Sequence, residues 1–401
     1  MLNNSQKNII LKELLESLEL PKSAYEKARD RYKDIGKWLN RADSICRMNE
    51  PHIYSQGSFR LGTAVKPLSN EEAYDLDLAC ELESGITKEN KTQKELKHLV
   101  GEEIEKYRKF RGIQNKMEEK RRCWRIEYLD AINFHIDIVP CIPENETRRI
   151  SIKEAMIKNG VDDRLSELVS ERTVAITDNN MNPEYEIITD DWKVSNPDGY
   201  AKWFESRMRT ASAYLTKRAA LLQEAQIDDI PVYEWKTPLQ LCIQLLKRHR
   251  DEMYKNNEDS KPISVIITTL AARAYQGEED LADAIMNILN RMRSFVNPIE
   301  PMVPNPVNPD EDFADKWYDP EYRHLRLQEN FNLWLTSAIA TFSSLFKTDN
   351  PIELQEQIFE KFASKLNAEE LNKSLDVSAP TIITERKTKQ IDSVVEPWME
   401  E

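Results

Sequence analysis

The chain has 401 residues, with 70 Asp and Glu against 56 Lys and Arg, giving a formal net charge of -14. That length exceeds one ordinary hydrophobic core and predicts two domains, while 40% hydrophobic residues and only 9 glycines exclude a disordered or fibrous chain. No run of about 18 apolar residues could span a bilayer, the N-terminus lacks an apolar signal core, and the acidic balance argues against stable DNA binding, so a cytoplasmic protein without a membrane partner is expected.

Residues 3–49 read as helices: Ile10, Leu14, Leu15 and Leu18 recur at three-to-four spacing, and the pattern resumes after Pro21. From about 52 to 142 the texture changes. HIYSQGSFRLGT, YDLDLACEL, CWRIEYLDAI and NFHIDIVPCIP read as short alternating strands, with a helix over KTQKELKHLVGEEIEKYRKF between two of them. Residues 177–199 combine Asn, Asp, Pro and Gly with little periodicity, so the domain crossing is placed at 195/196. Beyond it, YAKWFESRMRTASAYLTKRAALLQ, LQLCIQLLKRHRDEMY, ISVIITTLAARAY, LADAIMNILNRMRSFV and NFNLWLTSAIATFSSLF read as a helical bundle. The six-proline loop NPIEPMVPNPVNPDEDFADKWYDP is expected to be an ordered connection packed by its aromatics. The expected class is α+β: a sheet domain with N-terminal helices over 1–195, a helical domain over 196–371 and a polar tail over 372–401. Cys46, Cys80, Cys123, Cys141 and Cys242 form no CxxC pair and are expected to be reduced thiols.

The chemistry concentrates in the strand-rich part. In YDLDLACEL, residues two apart on a strand share a face, so Asp75 and Asp77 project together while Leu76 and Leu78 face the core. Two carboxylates on one face suit Mg²⁺, although in an acidic chain an isolated pair is more often simply a solvated strand face. Two further features favour the metal. Asp137 in NFHIDIVP sits among Phe134, Ile136, Ile138 and Val139, where a third carboxylate would complete a site for two divalent ions. Upstream, Gly57 lets backbone amides approach phosphate oxygens and Ser58 adds a donor, with Arg60 and Lys66 as further charges. His135 shares a face with Asp137 and is more simply a structural histidine than a ligand.

The order GSFRLGT, YDLDLACEL, HIDIVP resembles the DNA polymerase β superfamily of nucleotidyltransferases, and more narrowly the bacterial cGAS/DncV-like nucleotidyltransferases (CD-NTases), relatives of oligoadenylate synthase. The likeness extends through GYAKWF, LQLCIQLLKRHRD, KPISVIITTLAA and NPVNPDEDFADKW. It implies a polymerase β-like sheet domain and a helical second domain with the active site in the cleft between them. It also implies Asp75, Asp77 and Asp137 as catalytic metal ligands for two Mg²⁺ ions, with Mn²⁺ as substitute. Gly57, Ser58, Lys247 and Ser264 match the family's triphosphate-binding positions. Ser264 is independently expected to cap the helix ISVIITTLAARAY, whose N-terminus favours an anion. Val265 stands where some relatives carry a base-stacking aromatic, leaving Tyr254, Tyr275 and Trp192 as candidates for that role.

The activity so implied is template-independent synthesis of a cyclic or linear oligonucleotide second messenger. Its substrates would be ATP and also GTP, CTP or UTP, pyrophosphate would leave, and a downstream effector would read the product in anti-phage signalling. The alternatives are a nucleotidyltransferase that modifies RNA or protein, and an inactive nucleotide sensor. Net acidity disfavours RNA and the intact triad disfavours the sensor.

Overall fold

The computed structural model describes residues 2–69, 72–130, 132–208 and 236–367, together with 371 and 375. Helices α1 (Asn4–Leu18) and α2 (Lys22–Leu39) precede β1 (Pro51–Gln56), the single turn α3 (Gly57–Leu61) and β2 (Tyr74–Leu82). Then follow α4 (Gln93–Phe110), β3 (Glu118–Glu119), β4 (Trp124–Tyr128), β5 (Phe134–Pro143), α5 (Glu146–Lys158), α6 (Asp163–Ser170), β6 (Val174–Ile176), β7 (Lys193–Ser195) and α7 (Pro197–Met208). The strands form one mixed sheet in the order β1-β2-β5-β4-β3, extended from β5 through β6 to β7. Among the described strands only β2 and β5 run parallel, and α4 with β3 and β4 makes the crossover that parallel pairing requires.

Alternation decides which face carries which chemistry. Leu76, Leu78, Cys80 and Leu82 of β2 pack with Ile126, Ile136 and Ile138 against α2 and α4 in one core. The opposite face bears Asp75 and Asp77, and farther along the same strand Ala79 joins a small cluster with Tyr54, Cys141, Val174 and Ile176. A capping box holds the start of α4, with Thr92 Oγ1 accepting from Glu95 N–H and Glu95 from Thr92 N–H.

The second core is helical. It joins α7, α8 (Pro238–Met253), α9 (Ser264–Ala274), α10 (Leu281–Met292), α11 (Leu327–Leu345) and α12 (Pro351–Phe362). Helix α1 belongs to it through Ile10, Leu11, Leu14, Leu15 and Leu18, and α5 and α6 contribute Ile152, Met156 and Val169. The α+β expectation thus describes the fold: a sheet backed by two helices, facing a helical body.

Three local expectations are refined. The proline-rich connection contains a hairpin, β8 (Pro304–Asn305) and β9 (Asn308–Asp312), and its Phe313 and Trp317 pack on the helical core as expected of its aromatics. Residues 193–195, read as crossing, add a strand to the sheet. The helix expected to run from Tyr200 is seen as Pro197–Met208, while its continuation and nearly all of the polar tail lie outside the described residues. All five cysteines are free thiols. Among the described residues no helix is long and apolar enough to cross a membrane.

Candidate active site

Strand register brings the distant acids together. Across β1, β2, β5 and β4, the residues Gln56, Asp77, Asp137 and Arg125 stand directly opposite one another in a single row. In the next row on the same face, Asp75, His135 and Glu127 are aligned. Neighbouring strands lie about 4.8 Å apart, so these rows hold carboxylates within reach of one another.

The charges in these rows are unevenly compensated. Arg125 grips Asp137 with both arms, Nε to Oδ1 at 2.7 Å and Nη2 to Oδ2 at 2.7 Å, and its Nη2 lies 3.9 Å from Asp75 Oδ1. His135 stands between Asp75 (Nδ1 to Oδ1, 3.3 Å) and Glu127 (Nε2 to Oε1, 3.5 Å), so it supports the acids laterally. Asp77 forms no ion pair among the described residues. Burial, then Asp137 and then Asp75 push its carboxyl up to about 7, against a weaker pull from Arg125 and Lys247.

Gly57 follows β1 at φ +63°, the left-handed region where a β-carbon is penalised. A methyl added there would fall inside the van der Waals radius of Asp77 Oδ2, so glycine is required both by its dihedral angle and by the carboxylate beside it. The loop that follows, residues 61–67, is held by one stripe of α8. Gln240 Nε2 donates to Leu61 O (2.9 Å), Gln244 Nε2 to Ala64 O (2.7 Å), Lys247 Nζ to Thr63 O and Oγ1 (3.1 and 3.2 Å), and Arg248 to Lys66 O. Positions 240, 244, 247 and 248 fall on one helical face, which explains why a buried helix carries four polar side chains there. Sequence reading found Lys247 and missed the two glutamines, whose i, i+4 spacing, with the lysine three residues beyond the second, was the available signal.

Sheet and helices enclose a cleft of about 640 Å³ whose walls include Gly57, Ser58, Asp75, Asp77, Asp137, Lys247 and Ser264. The seven expected site residues therefore meet in one cavity. Burial, with Arg250 adding and Asp251 and Asp77 opposing, pulls the Lys247 ammonium down to about 7. Ser264 occupies the first helical position of α9, not the cap: Ile263 is the N-cap residue and no side chain caps the helix. The Ser264 hydroxyl instead accepts from Arg250 Nη1 at 2.9 Å. Arg60 is tied to Glu205 (2.9 Å) and Asp198 (3.6 Å), which fastens α3 to α7, while Lys66 is exposed at the cleft. The aromatic candidates were misplaced. Tyr254, Tyr275 and Trp192 are buried away from the cleft, and the aromatic side chains that line it are Phe59, Tyr74, Tyr200 and Phe313.

The donor set fits hard divalent cations. Three carboxylates share the floor, and Asp77 forms no ion pair among the described residues, with only a weaker, longer-range pull from Arg125 and Lys247. With Asp137 in the grip of Arg125, no three acidic, His or Cys side chains among the described residues are posed to hold a metal ion. Because Arg125 holds both Asp137 oxygens, an ion drawing on Asp137 would compete with that pair.

Residues 51–141 match the family model of the DncV-like nucleotidyltransferase domain of cyclic GMP-AMP synthase. The chain is 30% identical over 321 residues to a c-di-GMP synthase of Roseivirga ehrenbergii, covering 78% of this chain and 74% of that one. It is 23% identical over 327 residues to the cyclic dinucleotide synthase CdnG of Bradyrhizobium diazoefficiens, covering 77% and 69%. The solved structure of that CdnG in complex with GTP superposes with a TM-score of 0.61 at 20% identity, covering 92% of this chain and 98% of that one. The Vibrio cholerae di-nucleotide cyclase DncV superposes at 0.54 and 17% identity, covering 92% and 87%.

Proposed function

This chain belongs to the DncV-like nucleotidyltransferase family, and on that premise we propose that it joins ribonucleoside triphosphates into a cyclic oligonucleotide with release of pyrophosphate. One observation carries the reading: the register row that sets Asp77 beside Asp137, with Gly57 pressed on Asp77 from one side and Lys247 facing the same cleft. The relatives named for cyclic dinucleotide synthesis support the same class of product.

Each group then has a task. Asp75, Asp77 and Asp137 would hold two Mg²⁺ ions, or Mn²⁺ in their place; when bound, these supply activation of the attacking ribose hydroxyl and neutralisation of the leaving pyrophosphate. Gly57 keeps the backbone clear for phosphate oxygens, and the Ser58 hydroxyl donates to one of them. Lys247, half-neutral near pH 7, takes up a proton as the polyanion arrives, because a nearby negative charge favours the ammonium. Ser264, held by Arg250, presents its hydroxyl at the start of α9. Arg125 orients Asp137 until the cleft fills. Such a product suits a cytosolic second messenger read by a downstream effector, in anti-phage defence as the family resemblance implies.

The test is incubation of purified protein with ATP, GTP, CTP and UTP and Mg²⁺ or Mn²⁺, followed by mass spectrometry. A phosphatase-resistant oligonucleotide is expected, and Asp75→Ala with Asp77→Ala should abolish it. Label found only on protein or RNA would replace this reading with macromolecular modification, and absence of turnover would replace it with a sensor.

A further inference from the structure

Four carboxylates of the cleft wall, Glu72, Asp251, Glu258 and Glu311, take no part in the metal triad, and one of them is unlike the rest. Glu311 on β9 is half-buried and lines the same cavity as Asp75, Asp77 and Lys247. The other wall carboxylates outside the triad are differently placed. Asp251 is taken by Arg250 at 2.7 Å and has Lys261 at 3.6 Å, and Glu72 and Glu258 are exposed. Glu311 forms no ion pair among the described residues, and burial pushes its carboxyl up, with only partial relief from Asn305, Arg122 and Lys193.

Its position is built. Asn305 is 5% exposed; its Oδ1 accepts from Val307 N–H at 3.0 Å, which turns its Nδ2 to donate to Glu311 Oε2 at 2.7 Å. The hairpin is pinned in turn. Arg273 of α9 donates to Pro304 O at 2.7 Å, and Phe313 meets Tyr200 of α7 edge-on at 6.1 Å, while the Tyr200 hydroxyl pairs with Thr269 of α9 at 2.8 Å. A fixed carboxylate with spare acceptor capacity, beside a half-buried phenyl ring, is therefore held open to the nucleotide cleft.

We propose that Glu311, held by Asn305 and flanked by Phe313, reads the base of a bound nucleotide and selects guanine. Guanine presents two donors side by side on one edge, N1–H and the exocyclic N2 amino group, and a carboxylate accepts both. Adenine presents an acceptor at N1 to the same oxygens, which repels, and uracil offers a single N–H. Phe313 supplies a face on which the base stacks. This assignment deepens the proposed synthase activity, since it names the base that one substrate must carry.

The test measures equilibrium binding of the α,β-methylene analogues of GTP, ATP and ITP, which cannot be transferred, to the full chain with Mg²⁺. The GTP analogue should bind roughly ten- to hundredfold tighter than the ATP analogue, the scale of one bidentate base contact. The ITP analogue, lacking the N2 amino group, should fall between them. Glu311→Gln should bring GTP and ATP to within about threefold without weakening ATP, as one of its two acceptors becomes a donor. Equal binding of GTP and ATP analogues by the wild type, or an unchanged ratio in Glu311→Gln, overturns the assignment. Should the variant fail to fold, the wild-type GTP against ITP comparison decides, and equal affinities overturn it. Guanine preference without turnover overturns the synthase reading alone; turnover without guanine preference overturns the base reading alone.

Discussion

Asp77→Asn exchanges a carboxylate for a neutral group of the same shape at the most strongly perturbed acid of the cleft. The Asp77 carboxyl stands at about 7 against an ordinary value of 3.8, so between those limits the native chain binds more protons than the unfolded chain. Stability must then fall as pH rises from about 4 to about 7, and above that window the full cost of the buried charge is felt. A displacement of about three pH units sets an upper bound of about 4 kcal/mol, and water in an open cleft reduces this to the order of 2 kcal/mol. The measurement is urea or thermal unfolding of wild type and variant in EDTA at about pH 5 and about pH 8. At the higher pH the variant should be more stable by roughly 4–8 °C, taking about 2–4 °C per kcal/mol, and the gap should shrink at the lower pH. Adding Mg²⁺ should stabilise the wild type and leave the variant nearly unchanged. A variant no more stable than wild type at the higher pH in EDTA would refute the reasoning that Asp77 is an uncompensated charge awaiting a cation.

The remaining predictions concern its neighbours. Gly57→Ala should cost about 1–2 kcal/mol of stability from the left-handed dihedral alone and remove nearly all product, because the methyl displaces Asp77; full activity in a standard synthesis assay would contradict this. Calorimetry of triphosphate binding at about pH 8, in buffers of different ionisation enthalpy, should detect uptake of close to one proton in wild type and almost none in Lys247→Met, because the Lys247 ammonium is pulled down to about 7 and recharges beside phosphate. Arg125→Met should leave Asp137 unpaired, lowering stability in EDTA by about 1–3 kcal/mol while raising Mn²⁺ affinity measured by electron paramagnetic resonance. Unchanged Mn²⁺ affinity would mean that the guanidinium does not compete with the ion.

How much was legible in the sequence follows from the range of the interactions involved. Alternation with period two is local, so YDLDLACEL by itself determined that Asp75 and Asp77 share a face opposite Leu76 and Leu78. Helical periodicity likewise determined α4 and the helices of the second half, and the family motifs gathered Gly57, Ser58, Asp137, Lys247 and Ser264 into one expected site. Partners set by long-range register were not legible. That Arg125 would close on Asp137, or that His135 would stand beside Asp75, depends on strands brought together by the whole sheet. The stripe Gln240, Gln244 and Lys247 had the right spacing but reads as an ordinary amphipathic face until the 61–67 loop is laid on it. Tyr254, Tyr275 and Trp192 looked available as stacking surfaces because composition carries no information about burial, and only packing put them in the interior and left Phe313 at the cleft. Helix α1 precedes the sheet in the chain yet packs in the helical core, since its row of leucines specifies that it must be buried and leaves open against what. The sequence by itself determined the chemistry of each face, which is a local property of the backbone; the tertiary structure alone decided which faces meet, because that depends on complementary surfaces far apart in the chain.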